Sequence, residues 1–402
     1  MTLTRAWRIL CRWTPIAARY LRAWLHLHLF RRDLLHREIW LIAEKRTEAR
    51  DNGYHLFRYL RERYPEIEAY YVITADSPDR EKVERLGHVL TADSEEHFLY
   101  YLAAACSIGS QAGGAFPMQM IPAFFRLTRP LRRAGQKCVF LQHGVTYNAV
   151  PMPALHAKAR MHDLIAVSSE WERAFLQRTL GYPDGVVQTL GLCRFDALYG
   201  CEARSERLVL LLPTWREWLC AGAASEPFCE SEYFTRIASL LQSPRLHALL
   251  ERFDCRLIFY PHYALQAYLE AFRPYAGGRV VLAGRTEYDV QALLLRGAVL
   301  ITDYSSVFFD FAYLQKPVIF YQFDAPRFRR EHYPAGDFDF TRDAFGPVAA
   351  TEAEMLGALE TVLEAGCVLP EEYRSRVSHF FAYHDDQNCA RSYEAIRNLV
   401  SK

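Results

Sequence analysis

Val299-Leu-Ile-Thr-Asp303-Tyr-Ser-Ser306 runs without a break into Val307-Phe-Phe-Asp-Phe-Ala-Tyr-Leu314. The first four residues form an apolar run of strand length, and the last eight carry a helical pattern. Between them stand an aspartate and two serines. A strand that ends there at the start of a helix brings free backbone N–H groups, hydroxyls and the positive end of the helix dipole to one point, which suits an anion. The same side chains also serve as ordinary helix caps.

Working outward from this stretch, the strand–helix alternation repeats. Strands are predicted at Glu38 to Glu44, Glu68 to Thr74, Cys138 to Gln142 and Asp163 to Ser168, with helices at Gly53 to Tyr64, Glu95 to Cys106 and Glu170 to Leu180. The pattern breaks between Leu198 and Arg207 and starts afresh with strands at Leu208 to Leu212, Arg256 to Tyr260, Val280 to Leu282, Val299 to Thr302 and Val318 to Tyr321. Helices are predicted between them at Ala264 to Phe272, Asp289 to Arg296 and Val307 to Gln315. Alternation of this kind predicts parallel sheets with crossover helices. The chain has 402 residues, more than one hydrophobic core usually serves. Three segments are expected: a basic helix over 1–35, an amino-terminal Rossmann-like domain over 36–203 and a carboxyl-terminal one over 204–402. Two such sheets facing each other would form a cleft, with ligands at the carboxyl ends of the strands.

Composition excludes more than it assigns. A net charge of +1 gives no global basic excess, so no nucleic-acid partner is expected and any anion site must come from local placement. The ten cysteines include no C-x-x-C pair, and several, such as Cys106 and Cys138, lie in apolar runs. They read as reduced core residues of a cytoplasmic protein, with no metal site expected.

Residues 1–32 carry Arg5, Arg8, Arg12, Arg19, Arg22, Arg31 and Arg32 with no acid before Asp33, interleaved with Trp7, Trp13 and Trp24. The arginines interrupt each apolar run well short of the roughly 18 residues that span a bilayer. At helical periodicity the first five share one side, while Ile9, Leu10, Trp13, Ile16, Ala17, Tyr20 and Trp24 lie mainly elsewhere. This predicts an amphipathic helix, kinked at Pro15, lying on an anionic membrane surface or packed against protein.

Three further strand ends resemble the first. Leu208 to Leu212 leads into Pro213-Thr214-Trp215-Arg216, and Leu257 to Tyr260 into Pro261-His262. An arginine fork and an imidazole suit phosphate recognition. In the first half, Cys138-Val-Phe-Leu leads into Gln142-His143-Gly144, a histidine placed for proton transfer beside a glycine that permits close approach.

These motifs, together with Trp40 to Glu44, Arg50-Asp51-Asn52-Gly53-Tyr54-His55, Gly191-Leu-Cys-Arg194-Phe-Asp196 and Lys316-Pro317-Val318, resemble the CDP-glycerol glycerophosphotransferase family over about residues 38 to 397. The resemblance implies a GT-B-like α/β fold of two Rossmann-like domains. It implies transfer of glycerol phosphate, or a related polyol phosphate, from CDP-glycerol to a lipid-linked or polymer acceptor, with release of CMP. That activity belongs to teichoic acid or capsule synthesis at the cytoplasmic face of the bacterial membrane, where the enzyme would be peripheral. The donor side would comprise Pro213, Thr214, Arg216, Pro261, His262, Thr302, Asp303, Ser305 and Ser306, with Arg216 and His262 near the pyrophosphate. The acceptor side would comprise Asn52, Tyr54, His143 and Gly144. His143 would be the base and His262 a second catalytic group.

The chain departs from the family at Cys193, where a proline is common, and at His384 to Asn388, where a glycine commonly follows the first aspartate. No tightly bound cofactor is expected. Magnesium, where needed, would travel with the pyrophosphate, and Asp303 is the one ligand to test. Two rival readings are a GT-B glycosyltransferase using a nucleotide-sugar, which would release a nucleoside diphosphate, and a non-catalytic membrane-docked assembly protein.

Overall fold

The structure is a computed structural model that describes residues 3–118, 122–149, 153–201, 205–220 and 226–401, with the side chains of 3–13 and 122–124 outside the description. The chain divides into two compact units. One comprises residues 1–143, 151–196 and 385–402, and the other residues 144–150 and 197–384.

The first unit is built on seven parallel strands. They are β1 (Ile39–Ala43), β2 (Glu68–Ile73), β3 (Val89–Thr91), β4 (Cys106–Gly109), β5 (Lys137–Phe140), β6 (Leu164–Val167) and β7 (Val187–Thr189), in the order β3-β2-β1-β4-β5-β6-β7. The continuous apolar run at β1 has a direct reason. Ile39, Leu41 and Ala43 face one core cluster while Trp40 and Ile42 face another, so both sides of the sheet are covered. The central strand β4 was not expected, because Cys106 reads as the end of a helix that in fact stops at Ala103. Small residues occupy β4 because the following loop lies against it. A Cβ on Gly109 would sit 2.3 Å from Gly114 Cα, and Ser107 Oγ accepts from Ala115 N.

The second unit holds six parallel strands: β8 (Leu208–Leu211), β9 (Arg256–Phe259), β10 (Val280–Leu282), β11 (Val299–Thr302), β12 (Val318–Tyr321) and β13 (Val348–Ala349), in the order β10-β9-β8-β11-β12-β13. The strand β11 is central, as its buried sequence requires. Residues 144–150 belong here because Tyr147 is buried among Phe308, Phe309 and Phe338, with its hydroxyl donating to the Tyr304 carbonyl at 2.5 Å.

Three expectations about domain organisation need correction. The expected boundary at 203/204 falls on residues outside the description, and the units change over at 196/197. The last helix, Asn388–Val400, belongs to the first unit. Its start is capped by Asp196, whose carboxylate accepts from Asn388 N, Asn388 Nδ2 and Cys389 N. Gly191 makes room for it, since a Cβ there would fall 1.7 Å from Asn388 Oδ1. Lastly, the amino-terminal helix is not a separate appendage. It runs Leu3–Phe30 through Pro15, and Ile16, Tyr20, Ala23 and Leu27 are buried in the first unit's core, with Tyr20 edge-on to Phe98. Arg19 donates to the Asp93 carbonyl and lies over Phe98, and Arg22 pairs with Glu95. Loss of residues 1–32 would therefore uncover the core. The expected membrane roles of Arg5, Trp7, Arg8, Arg12 and Trp13 fall on side chains outside the description.

Candidate active site

In the first unit the turn after β5 presents His143. Its neighbour Gln142 is buried and sits in the left-handed region at φ +63°, so the strained position is Gln142 rather than Gly144. Two side chains hold that conformation. Asn52 is fully buried and donates through Nδ2 to the Leu141 and Gln142 carbonyls at 3.2 and 2.8 Å, while its Oδ1 accepts from Arg194 N. Gln142 Nε2 donates to Glu172, whose other oxygen accepts from Ser168 N and Oγ.

His143 itself remains accessible at the surface, set among dense neighbours. Loss of hydration holds its imidazole below the ordinary value. Asp51 and the Ser110 carbonyl pull it up, while Arg194 and Lys45 push it down. The ring is thus neutral at physiological pH and able to take a proton. Asn52 and Tyr54 are both interior. Tyr54 lies in the core under Lys82, whose ammonium is 3.7 Å from the ring centre, and of the two it is Asn52 that holds the His143 turn.

The segment that carries Asn52 is itself fixed by a buried acid. Glu44, at the end of β1, accepts from the backbone N–H groups of Arg50, Asp51 and Tyr54 at the start of the helix Asn52–Arg63. Burial and nearby Asp51 push its carboxyl up to about 8. The Trp40 to Glu44 and Arg50 to Tyr54 motifs are therefore one structural device.

The second unit brings most of its expected residues together at the carboxyl ends of β8, β9 and β11. Arg216 does not present a fork to solvent. It is fully buried, donates to both oxygens of Asp324 at 2.6 and 3.0 Å, to Asp303 at 2.8 Å and to the Thr214 carbonyl at 2.8 Å. Burial opposes its charge, but Asp303 and Asp324 more than offset this and keep the guanidinium protonated. Its N–H donors are all directed at the protein, where the sequence led to an expected contact with the pyrophosphate. Asp303 is engaged too, Oδ1 accepting from Thr214 N and Tyr304 N and Oδ2 from Arg216. Among the described residues no three His, Cys, Asp or Glu side chains cluster as metal ligands.

Thr302 is buried, with Oγ1 donating to the Leu212 carbonyl, and Pro213 and Pro261 are buried beside their strands. Ser305 and Ser306 are half-buried. Ser305 Oγ accepts from Val307 N, and Ser306 caps the helix Val307–Tyr313 without a side-chain bond. His262 is half-buried, its Nδ1 accepts from Ala264 N, and its ring stacks on Trp215 at 6.1 Å. Two contributors were not anticipated. Asp324 lies just beyond β12, and His332 ends the helix Ala325–Glu331 with its ring edge-on to Trp215 at 4.5 Å. Neither follows an apolar strand directly, which is the signal that marked the others.

Two parallel-sheet units with polar groups gathered at strand carboxyl ends define a GT-B-like fold, and solved structures share it. The wall teichoic acid polymerase TagF aligns with a TM-score of 0.67 at 14% identity, covering 100% of this chain and 98% of that one. A UDP-GlcNAc 2-epimerase from Neisseria meningitidis aligns at 0.52 and 12% identity over 90% of this chain and 100% of that one. The chain belongs to the CDP-Glycerol:Poly(glycerophosphate) glycerophosphotransferase family, whose pattern matches residues 24–398. It is similar to the minor teichoic acid biosynthesis protein GgaB of Bacillus subtilis (strain 168), 28% identical over 371 residues, or 90% of this chain and 40% of that protein. A teichoic acid poly(glycerol phosphate) polymerase of the same strain is 35% identical over 117 residues, 28% of this chain and 15% of that protein. The chain therefore spans well under half the length of these two relatives.

Proposed function

We propose that this protein transfers glycerol phosphate, or a related polyol phosphate, from a CDP-polyol to a hydroxyl of a lipid-linked or polymer acceptor, in teichoic acid or capsular polymer synthesis. The observation that carries this reading is the presence, in a chain of this family, of an accessible neutral His143 on a braced turn at a strand end. The acceptor oxygen attacks the phosphorus that bears the polyol, the new O–P bond forms, and the bridging P–O bond to CMP breaks. His143 takes the acceptor's proton. His262, Thr214 and the Ser305-Ser306 turn bind the diphosphate and stabilise its charge. A divalent cation, where the reaction uses one, arrives with the diphosphate. TagF has been solved as a variant soaked with CDPG, which supports the donor class. Incubating the protein with CDP-glycerol, CDP-ribitol and nucleotide-sugars tests the reading. CMP should appear with a CDP-polyol and acceptor; release of a nucleoside diphosphate from a sugar donor instead contradicts it.

We further propose peripheral attachment to the cytoplasmic membrane face. No helix among the described residues is long and apolar enough to cross a membrane. The amino-terminal helix keeps Leu21, Leu25 and Leu29 exposed along one stripe, with Phe30 at 74% exposure and Arg31 and Arg32 beside it. An apolar ridge with basic neighbours suits an anionic lipid surface, and it lies on a different face from the buried Tyr20 and Leu27. Sedimentation with anionic vesicles should be lost in the Leu25→Asp, Leu29→Asp double variant while its melting temperature stays unchanged. Equal sedimentation of variant and parent contradicts the attachment.

A further inference from the structure

At the carboxyl edge of the second sheet, Thr214 Oγ1, Tyr304 Oη and His332 Nε2 are buried without a hydrogen-bond partner among the described residues. Their residues are 5%, 2% and 8% exposed. Unpaired buried polar atoms are destabilising and rare in folded proteins, so three in one neighbourhood point to a polar guest. The Tyr304 and His332 rings are linked through Phe328, and Thr214 precedes Trp215, which packs on His332. Tyr304 stacks on Phe328 at 3.8 Å, Phe328 meets the His332 ring at 4.7 Å, and Trp215 contacts both His332 and His262.

His332 differs from the other two because its chemistry is fixed. Its Nδ1 accepts from Glu217 N at 3.0 Å, so the proton of the neutral ring sits on Nε2. Burial, with Arg216 close by, pulls the imidazole down to about 4. The ring is thus a neutral N–H donor across the physiological range, held by Trp215, Phe328 and Tyr333. The cation expected to read phosphate at this edge, Arg216, is consumed by Asp303 and Asp324, which leaves the role to other donors.

We propose that His332 is a donor-binding residue whose Nε2–H donates to a diphosphate oxygen of the CDP-polyol, alongside His262 and Thr214. This rests on the reading of the second unit as the CDP-polyol site. No bond is made or broken at His332; it holds the diphosphate while the bridging oxygen departs.

Calorimetry on the full chain with CDP-glycerol and with CMP tests the assignment. His332→Phe keeps the ring but removes both nitrogens and should weaken CDP-glycerol about tenfold, as expected for one hydrogen bond to a charged group, while CMP changes less than twofold. His332→Gln, which can still accept from Glu217 and donate outward, should recover most of the loss. Folded His332→Phe with parental CDP-glycerol affinity overturns the proposal, as does an equal loss for both nucleotides. Should that variant fail to fold, the 15N signal of His332 Nε2 in the parent decides: it should move on saturation with CDP-glycerol, and an unmoved signal overturns the proposal. A parent chain that binds no CDP-glycerol refutes the donor-site reading itself, and the inference with it.

Discussion

The two histidine-bearing strand edges are engineered in opposite ways. After β5, the amide groups beside His143 are tied down, Asn52 gripping two carbonyls and Gln142 bound to Glu172, and the imidazole is left accessible. After β8 and β11, a buried arginine between two aspartates forms the foundation, and the uncommitted atoms are small or aromatic neighbours. A charged residue in a signature motif can therefore be scaffold, as Arg216 is between Asp303 and Asp324.

The sharpest way to break this contrast is Arg216→Ala. It would leave Asp303 and Asp324 buried and uncompensated, at a cost of about 3–5 kcal/mol. Thermal unfolding should show a large loss of stability, and Arg216→Lys should not restore it, because an ammonium cannot bridge both carboxylates. A stable Arg216→Lys protein that loses only donor affinity would return Arg216 to the phosphate-binding role its motif suggests.

A smaller effect is expected at Asn52→Ala, which strands the Leu141 and Gln142 carbonyls. The stability cost should be about 1–3 kcal/mol. Turnover should fall while CDP-glycerol affinity holds, since Asn52 orients the turn that carries His143. Equal falls in both would show that the brace is not specific to the acceptor step.

Much of the fold was legible because buried parallel strands are uniform apolar runs. Ile39–Ala43, Val299–Thr302 and Val318–Tyr321 are apolar because both faces of each sheet are covered. The short edge strands β3, β7 and β13 bury too little to leave such a run. Strand β4 was hidden by Ser107 and Gly109, residues chosen for close backbone approach rather than for hydrophobicity. The placement of His143 and His262 directly beyond the ends of strands was legible from the apolar runs that precede them. The state of Arg216 was not, because its partner Asp324 lies 108 residues away and only folding brings the pair together. The amino-terminal helix shows the same limit: Tyr20 and Leu27 read equally well as lipid-facing or core-facing until Phe98 and Tyr101 are in place.

The central claim is that His143 takes the acceptor's proton and does not bind the donor. Its direct test is His143→Ala, with CMP release from CDP-glycerol and acceptor measured beside CDP-glycerol binding by calorimetry. Removal of a general base should cost about 10²–10⁴-fold in turnover and leave donor affinity unchanged. Because loss of hydration lowers the His143 pKa, the acidic limb of the parent's kcat/KM profile should lie below the pKa of a free imidazole, activity being lost as His143 gains its proton. A variant that releases CMP at the parental rate, or that loses CDP-glycerol affinity as severely as turnover, would contradict the account.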